Sequence, residues 1–199
     1  MILELLTWCV AYLMGSLPMG LYAGYLWTGQ DIRNFGTGDC GIGNVLRVIG
    51  LEAALLTIAL GGLKGMIPLW VAKLMGVEDW GLALGGLLIL VGSLWTCYPG
   101  VKGKFSISTT LGILAVLAPA TAGAALALVI SGLVLFRKIS WAAWALVISL
   151  PLIGLMTTRN WMLLTVIFAL ASLVVAKELQ GVVKWPILSK DGVTYKIWD

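Results

Sequence analysis

The chain has 199 residues, of which 60% are hydrophobic and 11% are charged, with a net charge of +4 and a mean hydropathy of +1.02. This composition excludes an ordinary soluble domain and indicates an integral membrane protein. Histidine is absent, and Cys9, Cys40 and Cys97 lack metal-ligand spacing. We therefore expect free thiols, no cofactor and no bound metal.

Long runs of apolar residues predict membrane-spanning helices, because a helix satisfies its own backbone groups in hydrocarbon. The run over residues 106–136 is too long for one helix, and Ala118-Pro119-Ala120 predicts a break into two short helices. Pro151 predicts a kink in the sixth span. The seven predicted spans lie in residues 5–27, 51–72, 80–99, 106–136 as a hairpin, 141–158 and 160–176.

The distribution of lysine and arginine predicts the orientation, because short cytoplasmic loops carry the excess of these residues. An outside N-terminus and a cytoplasmic C-terminus leave only Lys73 and Arg159 on the outer side. The positive charge is then a signal of topology, and we expect no nucleic-acid partner. We predict a multi-pass membrane protein with a transmembrane domain of residues 1–180. Residues 181–199 would form a cytoplasmic tail, either a small hairpin or a partner-binding arm.

The first loop, residues 31–50, is rich in glycine and polar side chains. Its alternating glycines permit a set of backbone N–H groups that holds a phosphate. Asn44 and Arg47 lie three residues apart where the second helix is predicted to start, and a helix N-terminus favours anions. A flexible glycine-rich turn anchored to lipid phosphates explains the same composition.

Three further polar elements interrupt the apolar sequence. Lys102 and Lys104 precede a run of serine and threonine, which predicts a phosphate site or an ordinary cytoplasmic turn with a helix cap. Arg137 and Ser140 lie between the fifth and sixth spans. Lys64 lies inside an apolar helix, where a charge is costly and usually functional or paired, unless the side chain reaches an interface.

In this order and spacing, these elements resemble the bacterial acyl-phosphate:glycerol-3-phosphate acyltransferase family, the PlsY type, over nearly the whole chain. Residues 15–20 resemble the family's Gly-Ser-x-Pro-x-Gly, and residues 36–47 resemble its Gly-Ser-Gly-Asn-x-Gly-x-Thr-Asn-x-x-Arg. Residues 92–109 are similar to Gly-His followed by Gly-Phe-Lys-Gly-Gly-Lys-Gly-x-Ala-Thr, and residues 137–140 to Arg-x-x-Ser. The resemblance implies an all-α integral protein of the bacterial cytoplasmic (inner) membrane, a seven-helix bundle with short fourth and fifth helices.

The family transfers an acyl chain from acyl phosphate to the 1-hydroxyl of glycerol 3-phosphate at the cytoplasmic face. The resemblance implies that the following residues remain for phosphate or substrate binding: Thr37, Gly38, Asn44, Arg47, Lys64, Lys102, Lys104, Arg137 and Ser140. Other positions depart from the family's polar pattern, and these are Asp39, Gly43, Gly61, Ser93, Phe105 and Leu179, which stand for Asn, Thr, Asp, His, Lys and Asn.

Because these departures fall on side chains expected to face the substrates, we interpret the chain as an inactive PlsY-like protein with no assigned catalytic residue. It would be an accessory or structural subunit that contacts membrane lipids and other membrane-protein subunits, as its ten tryptophans suggest. The alternative is a divergent acyltransferase making lysophosphatidic acid, in which Lys104 replaces the displaced lysine and Asp39 the asparagine. A third hypothesis is a lipid- or phosphate-binding protein without catalysis.

Overall fold

The computed structural model describes residues 2–101 and 103–136, and isolated helical positions at 147, 151, 164–165, 167–169, 171–172 and 174–175. Every regular element in this part of the chain is a helix. In chain order these are α1 (Ile2–Ser16), α2 (Met19–Thr28), a 3₁₀ turn (Ile32–Asn34), α3 (Ile42–Val48), α4 (Leu51–Leu74), α5 (Asp79–Leu94), α6 (Ile107–Leu117) and α7 (Pro119–Phe136). The predicted sixth and seventh spans, the kink at Pro151 and the tail over 181–199 lie outside the described residues, apart from those isolated positions.

The first predicted span is broken into two helices. Helices α1 and α2 meet at an angle of 48°. Pro18 has no backbone N–H, and the residue before a proline avoids helical backbone angles, so the hydrogen-bond ladder of α1 stops at Ser16. The prediction of one continuous helix over residues 5–27 is therefore wrong. The break leaves the carbonyl groups of residues 15–17 free to bond side chains from other helices.

The second long helix begins after Asn44, although the sequence predicted Asn44 to lie at its start. Asn44 lies in the short helix α3, and Gly50, with a φ of 127°, separates α3 from α4. Such a backbone angle is readily adopted only by glycine. Helix α4 is long and apolar enough to span a membrane, and the bent α1–α2 pair passes the same test as a unit. The predicted break in residues 106–136 is confirmed, since α6 ends at Leu117 and α7 begins at Pro119.

Glycines bring the helix backbones into close contact. A Cβ atom at Gly15 of α1 would overlap the carbonyl group of Ile89 on α5. On the other side of the bundle, a Cβ at Gly65 of α4 would overlap the carbonyl oxygen of Thr109 on α6. Small residues permit such packing, which stabilises helices where lipid supplies no hydrophobic driving force. The largest fully buried apolar side chains are Ile32, Val45, Leu69, Ile89, Leu90, Leu94, Ile113 and Leu114.

We expect Gly65→Ala to lower the melting temperature of the purified protein by roughly 5 °C. The added methyl group forces α4 away from α6, and overpacking of this kind costs about 1–3 kcal/mol. The matched control is Gly62→Ala on the same helix, where a Cβ would meet its nearest atom at 3.8 Å, an ordinary contact. Equal melting temperatures for the two variants would show that the glycine contact does not set the α4–α6 distance.

Candidate active site

Polar segments that are distant in the sequence meet around one cavity of about 80 Å³. The α1–α2 break supplies residues 15–20, the first loop supplies residues 40–42, and the second loop and the start of α6 supply residues 101 and 103–106. Helix α4 contributes Thr57, Gly61 and Lys64, and the end of α5 contributes Ser93 and the following Thr96. Within the described part of the chain, the α1–α2 break, parts of both loops and Lys64 therefore lie around the same cavity.

Side chains from two other helices bond the carbonyl groups exposed by the α1–α2 break. The Nζ of Lys64 donates to the carbonyl oxygens of Gly15 at 2.8 Å and Leu17 at 3.0 Å. The Oγ of Ser93 also donates to the carbonyl oxygen of Gly15, at 3.0 Å. The Oγ1 of Thr96 donates to the carbonyl oxygen of Ser16, at 2.8 Å. These bonds satisfy buried backbone groups and fix the broken helix as one wall of the cavity.

Asn44 holds the first loop in shape. Its Nδ2 donates to the carbonyl oxygens of Ile32, Phe35 and Asp39 at 3.3, 3.1 and 2.8 Å, and its Oδ1 accepts from the backbone N–H of Thr37 at 2.8 Å. The side chain is 2% exposed. Because the amide is committed to the loop backbone, Asn44 positions the loop, rather than presenting an amide to a ligand as the helix-start interpretation implied.

Arg33 links the first loop to the second. Its guanidinium pairs with Asp31, and its Nη1 donates to the carbonyl oxygen of Gly100 at 3.0 Å. The hydrogen bonds from Arg33 lower the pKa of the Asp31 carboxyl to about 2, so this pair is charged at any physiological pH. The sequence interpretation did not select Arg33 as a site residue, because its partner on the second loop lies far along the chain.

Asp39 and Lys104 form a second link between the two loops. The Nζ of Lys104 donates to Asp39 Oδ2 at 2.7 Å, and the same carboxylate accepts from the hydroxyl of Thr37 and the backbone N–H of Gly41. Burial raises the pKa of the Asp39 carboxyl, but these hydrogen bonds lower it by more, and the net pKa lies below its usual range. Both residues depart from the family motif, and the structure places them in direct contact.

We expect this ion pair to stabilise the protein at neutral pH and to lose its effect in acid. Since the folded-state pKa of Asp39 is lower than the unfolded value of about 3.9, the contribution is complete above that value and is lost as the pH falls through the folded-state pKa. Wild-type protein should melt about 2–4 °C above Asp39→Asn at pH 7, and this difference should be smaller at pH 3. A difference that is the same at both pH values would contradict this assignment.

A second pair of departures also lies in contact. The family pattern has aspartate at position 61 and alanine at position 108, where this chain has Gly61 and Ser108. A Cβ at Gly61 would overlap the Oγ of Ser108, so the serine hydroxyl occupies the space that a longer side chain at 61 would need. Phe105, at the family's lysine position, packs against buried apolar residues of the core. The departures at positions 39, 61 and 105 are thus accommodated by pairing or packing.

The structure brings some predicted site residues together and leaves others apart. Lys64 and Lys104 line the cavity, whereas Thr37 and Gly38 lie in the loop behind it. Arg47 is exposed and does not line the cavity, although it is three residues from the buried Asn44. Gly43 is exposed, and no atom in the described part of the chain lies within 4 Å of a Cβ placed there. Four predicted residues lie outside the described part of the chain, namely Lys102, Arg137, Ser140 and Leu179.

Several residues of the cavity were not expected from the sequence. Thr57, Thr96 and Ser106 line it with polar atoms, and Cys40 contributes a thiol whose pKa is raised by burial. Ser106 belongs to the serine and threonine run that predicted either a phosphate site or a helix cap, and it accepts from the backbone N–H of Thr109 at 3.3 Å. A search for hydroxyl groups flanking each glycine-rich segment finds Thr96 and Ser106, but Thr57 lies within an apolar helix and leaves no such signal.

The fold and the cavity define an α-helical membrane protein with a lysine-containing polar site between two loops. The chain belongs to the glycerol-3-phosphate acyltransferase family, whose sequence profile matches residues 5–184. Glycerol-3-phosphate acyltransferase of Geobacter sulfurreducens is 32% identical over 182 residues, which is 92% of this chain and 93% of the relative. The enzyme of the same name from Geotalea daltonii is 31% identical over 172 residues, or 86% of this chain and 88% of the relative.

Two crystal structures of PlsY, an integral membrane glycerol 3-phosphate acyltransferase, share the fold. The glycerol 3-phosphate form matches with a TM-score of 0.80 and 27% identity over 91% of this chain and 90% of the other. The lysophosphatidic acid form matches with a TM-score of 0.79 and 25% identity over the same shares. The resemblance, the all-helical membrane fold and the bacterial inner-membrane location are therefore confirmed. The outside N-terminus stays a prediction.

These comparisons contradict the interpretation of the chain as an inactive accessory subunit and the expectation that it is not an enzyme. Relatives spanning nearly the full length are acyltransferases, and the matching structures are of an acyltransferase. None of these findings indicates a subunit of a larger complex. The error was to treat each departure from the motif as a lost side chain. Asp39 and Lys104 balance one another's charge, and the hydroxyl of Ser108 fills the space of the missing side chain at Gly61.

Proposed function

We propose that this protein is a glycerol-3-phosphate acyltransferase that makes lysophosphatidic acid from an acyl phosphate. The supporting observation is the convergence of the α1–α2 break, both loops and Lys64 on one cavity, in a chain that matches acyltransferases over about nine tenths of its length. In the reaction the 1-hydroxyl oxygen of glycerol 3-phosphate forms a bond to the acyl carbon. The bond from that carbon to the phosphate oxygen breaks, and the released phosphate takes up the hydroxyl proton.

The site suits this reaction because it combines cations with a fixed arrangement of polar groups. Lys64 and Lys104 supply positive charge, and Thr57, Ser93 and Ser106 supply hydroxyl groups around the cavity. Cations and rigid donors accelerate such a transfer by holding the phosphates and by aligning the hydroxyl with the carbonyl carbon. We propose that Arg47, Lys102, Arg137 and Ser140 complete the substrate contacts. By the positive-inside distribution of basic residues, the site would open to the cytoplasm.

The membrane setting suits the substrates as well. The long acyl chain of the donor is apolar and would lie in the bilayer, while its phosphate and the water-soluble acceptor would meet at the polar end of the bundle. Large apolar side chains such as Leu26, Leu51 and Leu74 are 64–73% exposed and are suited to contact lipid. We therefore propose membrane lipids, acyl phosphate and glycerol 3-phosphate as the partners of this protein.

The test is a direct assay on protein purified in detergent. Incubation with palmitoyl phosphate and glycerol 3-phosphate should give lysophosphatidic acid and phosphate, identified by mass spectrometry. Glycerol in place of glycerol 3-phosphate should reduce turnover at least 100-fold, because the acceptor would lose its charge-assisted bonds to the site. Absence of product, or equal turnover with glycerol, would contradict the proposed function.

A further inference from the structure

Lys64 is the inner cation of the cavity. It lies at mid-length in α4, its side chain is buried with 6% exposure, and it lines the cavity. Two of its three ammonium protons bond the carbonyl oxygens of Gly15 and Leu17, and within the described residues it has no carboxylate partner. An ammonium group has three donors, so Lys64 keeps one donor and a charge not neutralised by any described acid.

The hydroxyl of Ser108 fills the space that an acidic side chain at position 61 would occupy. Residues three apart on a helix are neighbours on its surface, so an aspartate at position 61 would face Lys64 and neutralise its charge. In this chain position 61 is glycine, and the hydroxyl of Ser108 fills the space of the missing side chain.

Lys104 has the opposite surroundings at the outer edge of the cavity. Its side chain is 58% exposed, and its ammonium is 2.7 Å from the carboxylate of Asp39, whose side chain is only 13% exposed. Asp39 is fixed in turn by Gly41 and Thr37. Lys104 is therefore tied to the first loop, and its charge is balanced by an acid that approaches it from that loop.

We propose that Lys64 binds the phosphate group of glycerol 3-phosphate, and that Lys104 links the two loops. Compared with the family pattern, this chain lacks the acid at position 61 beside Lys64, and it has an acid at position 39 beside Lys104. These two differences leave the number of acids at these positions unchanged. Of the two lysines, the one without a carboxylate partner among the described residues is then Lys64, inside the cavity, and not the lysine at its edge. The inference rests on the proposed function and specifies the phosphate subsite within it.

The experiment compares the two lysines in acyl transfer. Lys64→Gln keeps a donor for the backbone carbonyls and removes the charge, and we expect it to raise the KM for glycerol 3-phosphate at least 10-fold. Lys104→Gln should raise this KM by a smaller factor than Lys64→Gln does, because Lys104 acts through its bond to Asp39. Lys73→Gln, at the exposed end of the same helix, is the matched control and should stay within 2-fold of wild type. A larger KM effect at Lys104 than at Lys64 would overturn the inference while leaving the proposed function intact.

A second variant neutralises Lys64 without removing it. Gly61→Asp with Ser108→Ala places a carboxylate beside Lys64 and clears the space that it needs, and we expect the same rise in KM as for Lys64→Gln. Inorganic phosphate gives a readout that does not depend on turnover. It should raise the melting temperature of wild type and Lys104→Gln, and have no effect on Lys64→Gln or the double variant. Stabilisation that survives in both Lys64→Gln and the double variant, or a KM that the double variant leaves unchanged, would refute the assignment.

Discussion

Replacing Asn44 with alanine is expected to lower lysophosphatidic acid formation about 100-fold while leaving the helical bundle folded. The amide makes four hydrogen bonds to the backbone of the first loop, to residues 32, 35, 37 and 39. Each buried group left without a partner costs about 1–3 kcal/mol. The loop would then leave the geometry that places Cys40 and Gly41 at the cavity, and small misplacements of positioning groups reduce turnover strongly.

Turnover, circular dichroism and limited proteolysis together measure this effect. Asn44→Ala should keep the helical signal, lose turnover and become sensitive to protease cleavage between residues 32 and 41. Asn44→Asp keeps an acceptor for the backbone N–H of Thr37 but cannot donate when ionised, so it should also lose turnover. Asn34→Ala is the matched control, because Asn34 is exposed on the 3₁₀ turn, and it should retain at least half of the activity. A protease-resistant and active Asn44→Ala protein would contradict the positioning role.

Gly103→Ala is expected to reduce turnover at least 10-fold and to lower the melting temperature. A Cβ at this position would lie 2.5 Å from the carbonyl carbon of Leu94 and 2.8 Å from the carbonyl oxygen of Ser93, at the end of α5. Because these are backbone atoms, they cannot rotate away, and the second loop must shift. That shift would displace Lys104 and Ser106 from the cavity edge.

The control for this variant is Gly123→Ala on α7, where no atom of the described residues lies within 4 Å of an added Cβ. Alanine also has a higher helix propensity than glycine, so this control should be as active as wild type and no less stable. The comparison separates the effect of a methyl group at the close contact from that of a glycine substitution in general. A Gly103→Ala protein with wild-type turnover would show that the second loop tolerates the displacement.

The breaks in the helices show how far local sequence information extends. The break at Pro119 was predicted because an apolar run of 31 residues exceeds one span. The similar break at Pro18 was missed, since residues 5–27 fit one span and nothing nearby indicates how the freed carbonyl groups are satisfied. Their partners, Lys64 and Ser93, lie 49 and 78 residues from Gly15. A local pattern identifies a proline, but only tertiary contacts make a sharp bend there stable.

The candidate site also has features that the sequence predicted and features that only tertiary contacts show. The family resemblance implied that Lys64 and Lys104 remain for phosphate or substrate binding, and both side chains line the cavity. The ion pair between Asp39 and Lys104 joins residues 65 positions apart, so the sequence alone presented them as two separate departures from a motif. The contact between Gly61 and Ser108 was hidden for the same reason. Judging activity from single positions therefore led to the wrong function.

The central claim is acyl transfer to the hydroxyl of glycerol 3-phosphate, and an isotope experiment tests it most directly. Purified wild-type protein is supplied with unlabelled acyl phosphate and with glycerol 3-phosphate that carries oxygen-18 in its 1-hydroxyl group. Attack of this hydroxyl on the acyl carbon predicts lysophosphatidic acid with oxygen-18 in the ester linkage, and released phosphate without label. Formation of free fatty acid and phosphate alone, with no labelled ester, would contradict the account.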